Sequence, residues 1–378
     1  MKVIVSCGGK FHAFNLAEQL DRHGYLHKLI TTFYSQKRGL LPKFRKDNEK
    51  FDLKKVITNI IPEIIGRGLN LNYYSLWFFD GWARGQIDKC DLFVGWSGFS
   101  LYSLRKAKSF GAMTIVERGS SHILYQKKIL EEEYEKYEVK IKPIDERIVE
   151  KELAEYNEAD YISVPSSFVK QTFIDKGFSP EKLIHVPYGV DLDNFKAVPK
   201  SDNIFRVIFA GSSSLRKGVH YLLQAFSELK LKDAELLLIG SVSPEIKPFL
   251  KKNNDCYKHI GKIPHLELYK YLSGGSVFVL PSIEEGLAMV IPQAMACALP
   301  IICTTNTGGA DIVRDNIDGY IISVRNSEAI KEKIICLYEN QELCKSMGKS
   351  AKERVSKGFT WNDYGERIIE CYKRALRV

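Results

Sequence analysis

A chain of 378 residues, 45% of them hydrophobic and 27% charged, exceeds one ordinary core, so two globular domains of roughly 150–200 residues are expected. Its eight cysteines, at 7, 90, 256, 297, 303, 336, 344 and 371, form no C-x-x-C pair, which argues against a disulfide framework or a zinc site. No apolar run reaches a membrane-spanning length and the one after Met1 is too short for a secretion signal, so a cytoplasmic location is expected; the net charge of +9 points to an anionic partner.

Residues 3–6 read as a strand, Gly8, Gly9 and Lys10 as a tight turn, and 14–23 as a helix with apolar residues at 14, 16, 17 and 20. A glycine turn feeding a helix suits a phosphate, although the spacing is not the G-x-G-x-x-G of dinucleotide oxidoreductases. A second strand follows at 26–33. Between Lys37 and Lys55 eight basic residues stand against three acidic ones, interleaved with Leu40, Leu41, Phe44, Phe51 and Leu53. That mixture fits an anionic membrane surface, and equally a solvated excursion. The aromatic cluster of Tyr73, Tyr74, Trp77, Phe78 and Phe79 is expected to pack in the core.

Residues 92–95 and 113–116 are the next buried strands. The second runs into Glu117-Arg118-Gly119-Ser120-Ser121-His122, a polar cluster at the end of a strand where open α/β sheets hold their ligands. Glu117 and Arg118 can pair with each other and shape the loop. The charged stretch 129–159 reads as a solvated helix without chemistry. Strands at 161–164 and 184–187 complete the first unit.

The second unit opens with a strand at 206–210, then Gly211 and a small-residue loop ending in Arg216-Lys217-Gly218 at a helix start, an anion site. A strand at 236–240 and the loop Gly261-Lys262-Ile263 follow. Residues 277–309 then form a βαβ unit: a strand, a Pro281-Ser282 turn, an acidic loop, a helix over 289–297, and a strand restarting at Ile301. The backbone of Gly286, Leu287, Ala288 and Met289, leading into that helix, is a seat for a phosphate or sugar hydroxyl. Glu285 and Gln293 bracket a ligand whose middle is a diphosphate, which is the shape of a nucleotide sugar. A last strand by 322, two amphipathic helices over 328–355 and a helix from Trp361 end the chain.

Pro281, Ser282, Glu285, Gly286, Ala294, Met295, Ala296, Gly308 and Gly309 together resemble the retaining glycosyltransferases of family 4, whose signature is Glu, seven residues, Glu; here the second is Gln293. The resemblance implies the GT-B fold, an α/β class with two doubly wound Rossmann-like domains facing a central cleft. It implies an acceptor-side domain at 1–190, a nucleotide-sugar domain at 191–360, and a helix at 361–378 packing back on the first. By the same resemblance Glu285 holds donor-sugar hydroxyls, Lys217 and Arg216 the diphosphate, Gln293 the ribose, and Gly261, Lys262 and Ile263 lie beside the base. Ser212 stands where the family carries an arginine. Gly8 and Gly9, with Lys10 and His12, face the diphosphate and acceptor, and His122 reaches the sugar in the transition state. The activity implied is metal-independent, retaining transfer of a hexose from a UDP- or GDP-linked donor to a hydroxyl of a glycan or lipid-linked acceptor. That would serve cell-surface polysaccharide or glycolipid synthesis, with no further cofactor and no nucleic-acid partner; contact with an anionic membrane surface through residues 37–55 is read from their composition alone. A non-catalytic nucleotide-sugar-binding partner or sensor is the alternative, favoured by Gln293 and Ser212.

Overall fold

The aliphatic runs become strands buried on both faces, as parallel sheets require. A computed structural model describes residues 1–9, 11–32, 52–65, 72–140 and 143–377. Lys10 and the basic stretch 37–51 lie outside the described residues.

The first sheet holds β1 (Val3–Cys7), β2 (Leu26–Thr31), β3 (Val56–Thr58), β4 (Leu92–Trp96), β5 (Met113–Glu117), β6 (Tyr161–Val164) and β7 (Leu183–His185), all parallel, in the order β3-β2-β1-β4-β5-β6-β7. Between them run α1 (Ala13–Arg22), α2 (Ile61–Glu63), α3 (Asn72–Arg84), α4 (Leu101–Ser109), α5 (Ile123–Lys136), α6 (Glu146–Glu158) and α7 (Ser167–Ile174). The second sheet holds β8 (Phe205–Ala210), β9 (Ala234–Ile239), β10 (Tyr257–Ile260), β11 (Val277–Leu280), β12 (Ile301–Thr304) and β13 (Gly319–Ile322), in the order β10-β9-β8-β11-β12-β13. Its helices are α8 (Val219–Leu229), α9 (Lys247–Lys252), α10 (Leu268–Ser273), α11 (Val290–Ala296), α12 (Ser327–Glu339) and α13 (Gln341–Ser356).

The last helix, α14 (Trp361–Leu376), starts at a capping box between Thr360 and Asp363 and returns to the first unit. Gly365 lies against Gln19 of α1, Asn362 bonds Arg22, and Tyr372 donates to Glu117 at 3.4 Å. The expectation for the aromatic cluster holds only in part. Phe79 is fully buried, but Tyr74 and Trp77 are 50% and 51% exposed, because α3 turns one face to the core and the other outward.

Candidate active site

In a doubly wound sheet the crevice opens where the strand order reverses. That point lies between β1 and β4 in the first sheet and between β8 and β11 in the second, and the loops after these strands face each other across a cleft of about 490 Å³. Phe11, His12, residues 96–99, residues 118–120, Glu152 and Tyr188 line one wall; Ala210, Gly211, Lys217, Glu285 and residues 287–290 line the other.

On the second wall, Lys217 and Glu285 form an ion pair, with Arg216 Nη2 3.9 Å from the same carboxylate. Gly218, at φ +65°, turns the chain directly from Lys217 into α8. Helix α11 has seven residues, so it offers a few free N–H groups rather than a long macrodipole. Gly286 does not leave its backbone open to a ligand. A Cβ there would collide with the Gly119 carbonyl, and its own carbonyl accepts the Ser166 hydroxyl at 2.6 Å, so what approaches it is the first unit. Gly286→Ala is therefore expected to force the loops apart and destabilise the chain by about 1–3 kcal/mol, read by thermal unfolding.

Arg118 dominates the first wall, and it does not pair with Glu117. Its Nη1 pairs with Glu152 at 2.7 Å, Nη2 donates to Gln126 Oε1 at 2.8 Å, and Nε to the Ser121 carbonyl at 3.0 Å. Glu117 instead takes His12 at 3.3 Å, and the His12 ring lies 4.1 Å from Tyr188 and 4.9 Å from Trp96. Tyr188 lines the cleft, and its buried hydroxyl has no hydrogen-bond partner among the described residues. Behind this wall Glu155 accepts the N–H groups of Gly98 at 2.5 Å and Ser100 at 2.8 Å, and burial pushes its carboxyl up to about 8. The solvated reading of 129–159 is thus corrected, since Glu133, Glu152 and Glu155 are all buried.

His122 is not in the cleft. It is 1% exposed, caps α5 by accepting the Leu124 N–H at 3.2 Å, and packs among Phe173, Tyr156 and Phe178. Burial, with help from Arg118 and Lys176, pulls its imidazole down to about 4. A depressed folded-state pKa means stability present above the ordinary imidazole value of about 6.5 and lost as pH falls through about 4. His122→Asn keeps the cap acceptor, and is expected to shrink the stability lost between pH 7 and pH 4 by about 3 kcal/mol in urea unfolding.

The remaining candidates separate. Arg216 turns from the cleft to Glu284, its Nε lying 3.0 Å from the carboxylate, because that wholly buried charge needs a partner. Gln293 sits with His265, nitrogen to nitrogen at 3.1 Å, outside the cleft lining, as do Gly261, Lys262 and Ile263 at the end of β10. Ser212 bonds Ser241 at 3.1 Å. Gly8 and Gly9 lie beneath the rings of Phe99 and Phe11, which themselves line the cleft. Sequence reasoning placed Arg118 in the right loop but gave it Glu117 as partner, and it missed Glu152 and Tyr188 as cleft residues. For Glu152 a signal existed: Val149, Glu152 and Tyr156 recur at helical spacing, on the buried face of α6.

Two parallel α/β units whose switch points face one cleft define a GT-B protein. Residues 7–194 match Glycosyltransferase Family 4 and residues 191–354 match Glycosyl transferases group 1, and the chain belongs to these GT-B glycosyltransferase families. The capsular polysaccharide biosynthesis glycosyltransferase CapM of Staphylococcus aureus is 30% identical over 200 residues, 49% of this chain and 51% of that protein. The chain spans about half the length of such curated relatives. Among solved structures, sucrose-phosphate synthase from Thermosynechococcus elongatus superimposes with a TM-score of 0.75 at 18% identity, covering 100% of both chains. HepE of Anabaena, in complex with UDP, gives 0.69 at 14% identity over 99% of this chain and 100% of that one. Among the described residues no helix is long and apolar enough to cross a membrane.

Proposed function

We propose that this chain transfers a hexose from a nucleotide sugar to a hydroxyl of a glycan or lipid-linked acceptor, retaining the anomeric configuration and using no metal. The observation that carries the reading is the Lys217–Glu285 pair on one wall of the cleft, facing Arg118 on the other. Lys217 neutralises the departing diphosphate while Glu285 accepts hydrogen bonds from sugar hydroxyls. Arg118 takes the place the sequence assigned to His122. A guanidinium stays protonated, so it stabilises charge and moves no proton. Residues 1–190 present the acceptor and 191–360 the donor, with Gln293 and the loop at 261–263 on the ribose and base side. The UDP held by HepE and the polysaccharide role in CapM's name favour a UDP-linked donor and a cell-surface glycan. The basic, leucine-bearing stretch at 37–55 and the exposed Ile61, Ile64 and Trp77 favour work at the inner face of an anionic membrane.

A thermal-shift screen over UDP-, GDP- and ADP-sugars tests the donor. A ligand at 100 times its Kd adds about 2.7 kcal/mol of stability, so the right donor raises Tm measurably. Transfer from that donor, labelled and α-linked, must then give an α-linked product by NMR. No stabilising nucleotide sugar, or an inverted product, overturns the proposal.

A further inference from the structure

Glu284, next to the cleft residue Glu285, is 0% exposed and does not itself line the cleft. Its Oε1 accepts the N–H of Ser121 at 2.9 Å and the hydroxyl of Ser121 at 2.8 Å; its Oε2 accepts from Gln126 Nε2 at 2.8 Å and Arg216 Nε at 3.0 Å. Four donors fill the acceptor capacity of one carboxylate, and three of those bonds come from the other unit. Burial alone would raise its pKa; Arg216, the Ser121 bonds and Arg118 outweigh that and hold it below the usual carboxylate range.

The network runs on in both directions. Gln126 Oε1 accepts from Arg118 Nη2, and Arg118 pairs with Glu152 on the first wall. Arg216 reaches the Ser120 hydroxyl at 3.3 Å and stands beside Glu285 on the second. Both walls are therefore tied through one buried carboxylate behind the cleft.

We propose that Glu284 is a positioning residue, a clasp between the two units that sets Arg118 on one wall against Lys217 and Glu285 on the other. The inference rests on reading the cleft as a transfer site. Lys217 and Glu285 belong to the second unit, so they engage a donor whether or not the clasp is made. Arg118 reaches the donor only when the clasp closes. Weakening the clasp therefore lowers turnover and leaves donor affinity nearly intact.

The test uses the full chain carrying Glu284→Gln, which keeps the shape but turns an amide donor toward Gln126 and Arg216. Amide hydrogen exchange over residues 119–126 is expected to rise by at least about ten-fold, with β4 and β8 unchanged. With UDP-glucose, or the donor the screen selects, kcat is expected to fall at least about ten-fold while KM for that donor stays within about three-fold. Ser121→Ala, which removes one of the four bonds, is expected to lie between, and it carries the same comparison if the Gln variant does not fold. Unchanged exchange over 119–126 overturns the clasp. Raised exchange with unchanged kcat overturns the positioning role. Exchange that responds in a chain whose wild type turns over no nucleotide sugar upholds the clasp and overturns the transfer reading instead.

Discussion

Replacing Lys217 by alanine is expected to lower kcat for transfer by at least about ten-fold, equivalent to ~1.4 kcal/mol of lost transition-state stabilisation. The negative charge on the diphosphate grows as the sugar leaves, so a cation that meets it there acts more on the transition state than on the bound donor. The fall in kcat should therefore exceed any rise in donor KM. Glu285→Ala acts from the other end of the same ion pair, removing hydroxyl acceptors and leaving Lys217 in place, and is expected to cost transfer as much. Steady-state kinetics with the screened donor decide both, and wild-type rates in either variant would remove the site from this wall of the cleft. Arg216 Nη2 stays 3.9 Å from the Glu285 carboxylate when Lys217 is removed, which limits the loss of stability in that variant.

Arg118→Met is expected to produce the largest loss of stability. The guanidinium and its partner Glu152 are both buried, and Tyr156 places its hydroxyl on the same carboxylate. Removing the cation leaves that carboxylate charged and poorly paired away from water, for which about 3–5 kcal/mol is typical. Adding Glu152→Gln to the Arg118→Met chain removes the stranded charge and is expected to restore part of the loss in urea unfolding. A double variant no more stable than the single one would show that Arg118 contributes through packing or its bonds to Ser121 and Gln126.

Much of the architecture could be read locally. The strands are apolar runs stopped by glycine or proline, and the βαβ unit around Glu285 carries its turn, helix and restart within about thirty residues. The second wall of the cleft follows from that stretch and from Lys217. The first wall was less legible, because its side chains are sorted by partners far away in sequence. Arg118 and His122 share one loop, and either could have faced the cleft. What decides is Glu152 on α6, which claims Arg118, and Phe173 and Phe178 at and beyond the end of α7, which enclose His122. Arg216 likewise sits at a helix start in sequence, yet in the fold its guanidinium pairs with the buried carboxylate of Glu284. A charged residue's local sequence states its charge, and not which opposite charge the fold brings to it.

The return of α14 to α1 bears on synthesis. Ile368, Ile369 and Tyr372 are buried, and Tyr372 reaches the carboxylate that holds His12, yet they are synthesised well after the first unit they pack on. At 5–20 residues per second the first unit waits roughly ten to forty seconds with that flank uncovered. During this interval the nascent chain presents an apolar surface that chaperones can shield and proteases can find, until α14 is made and covers it.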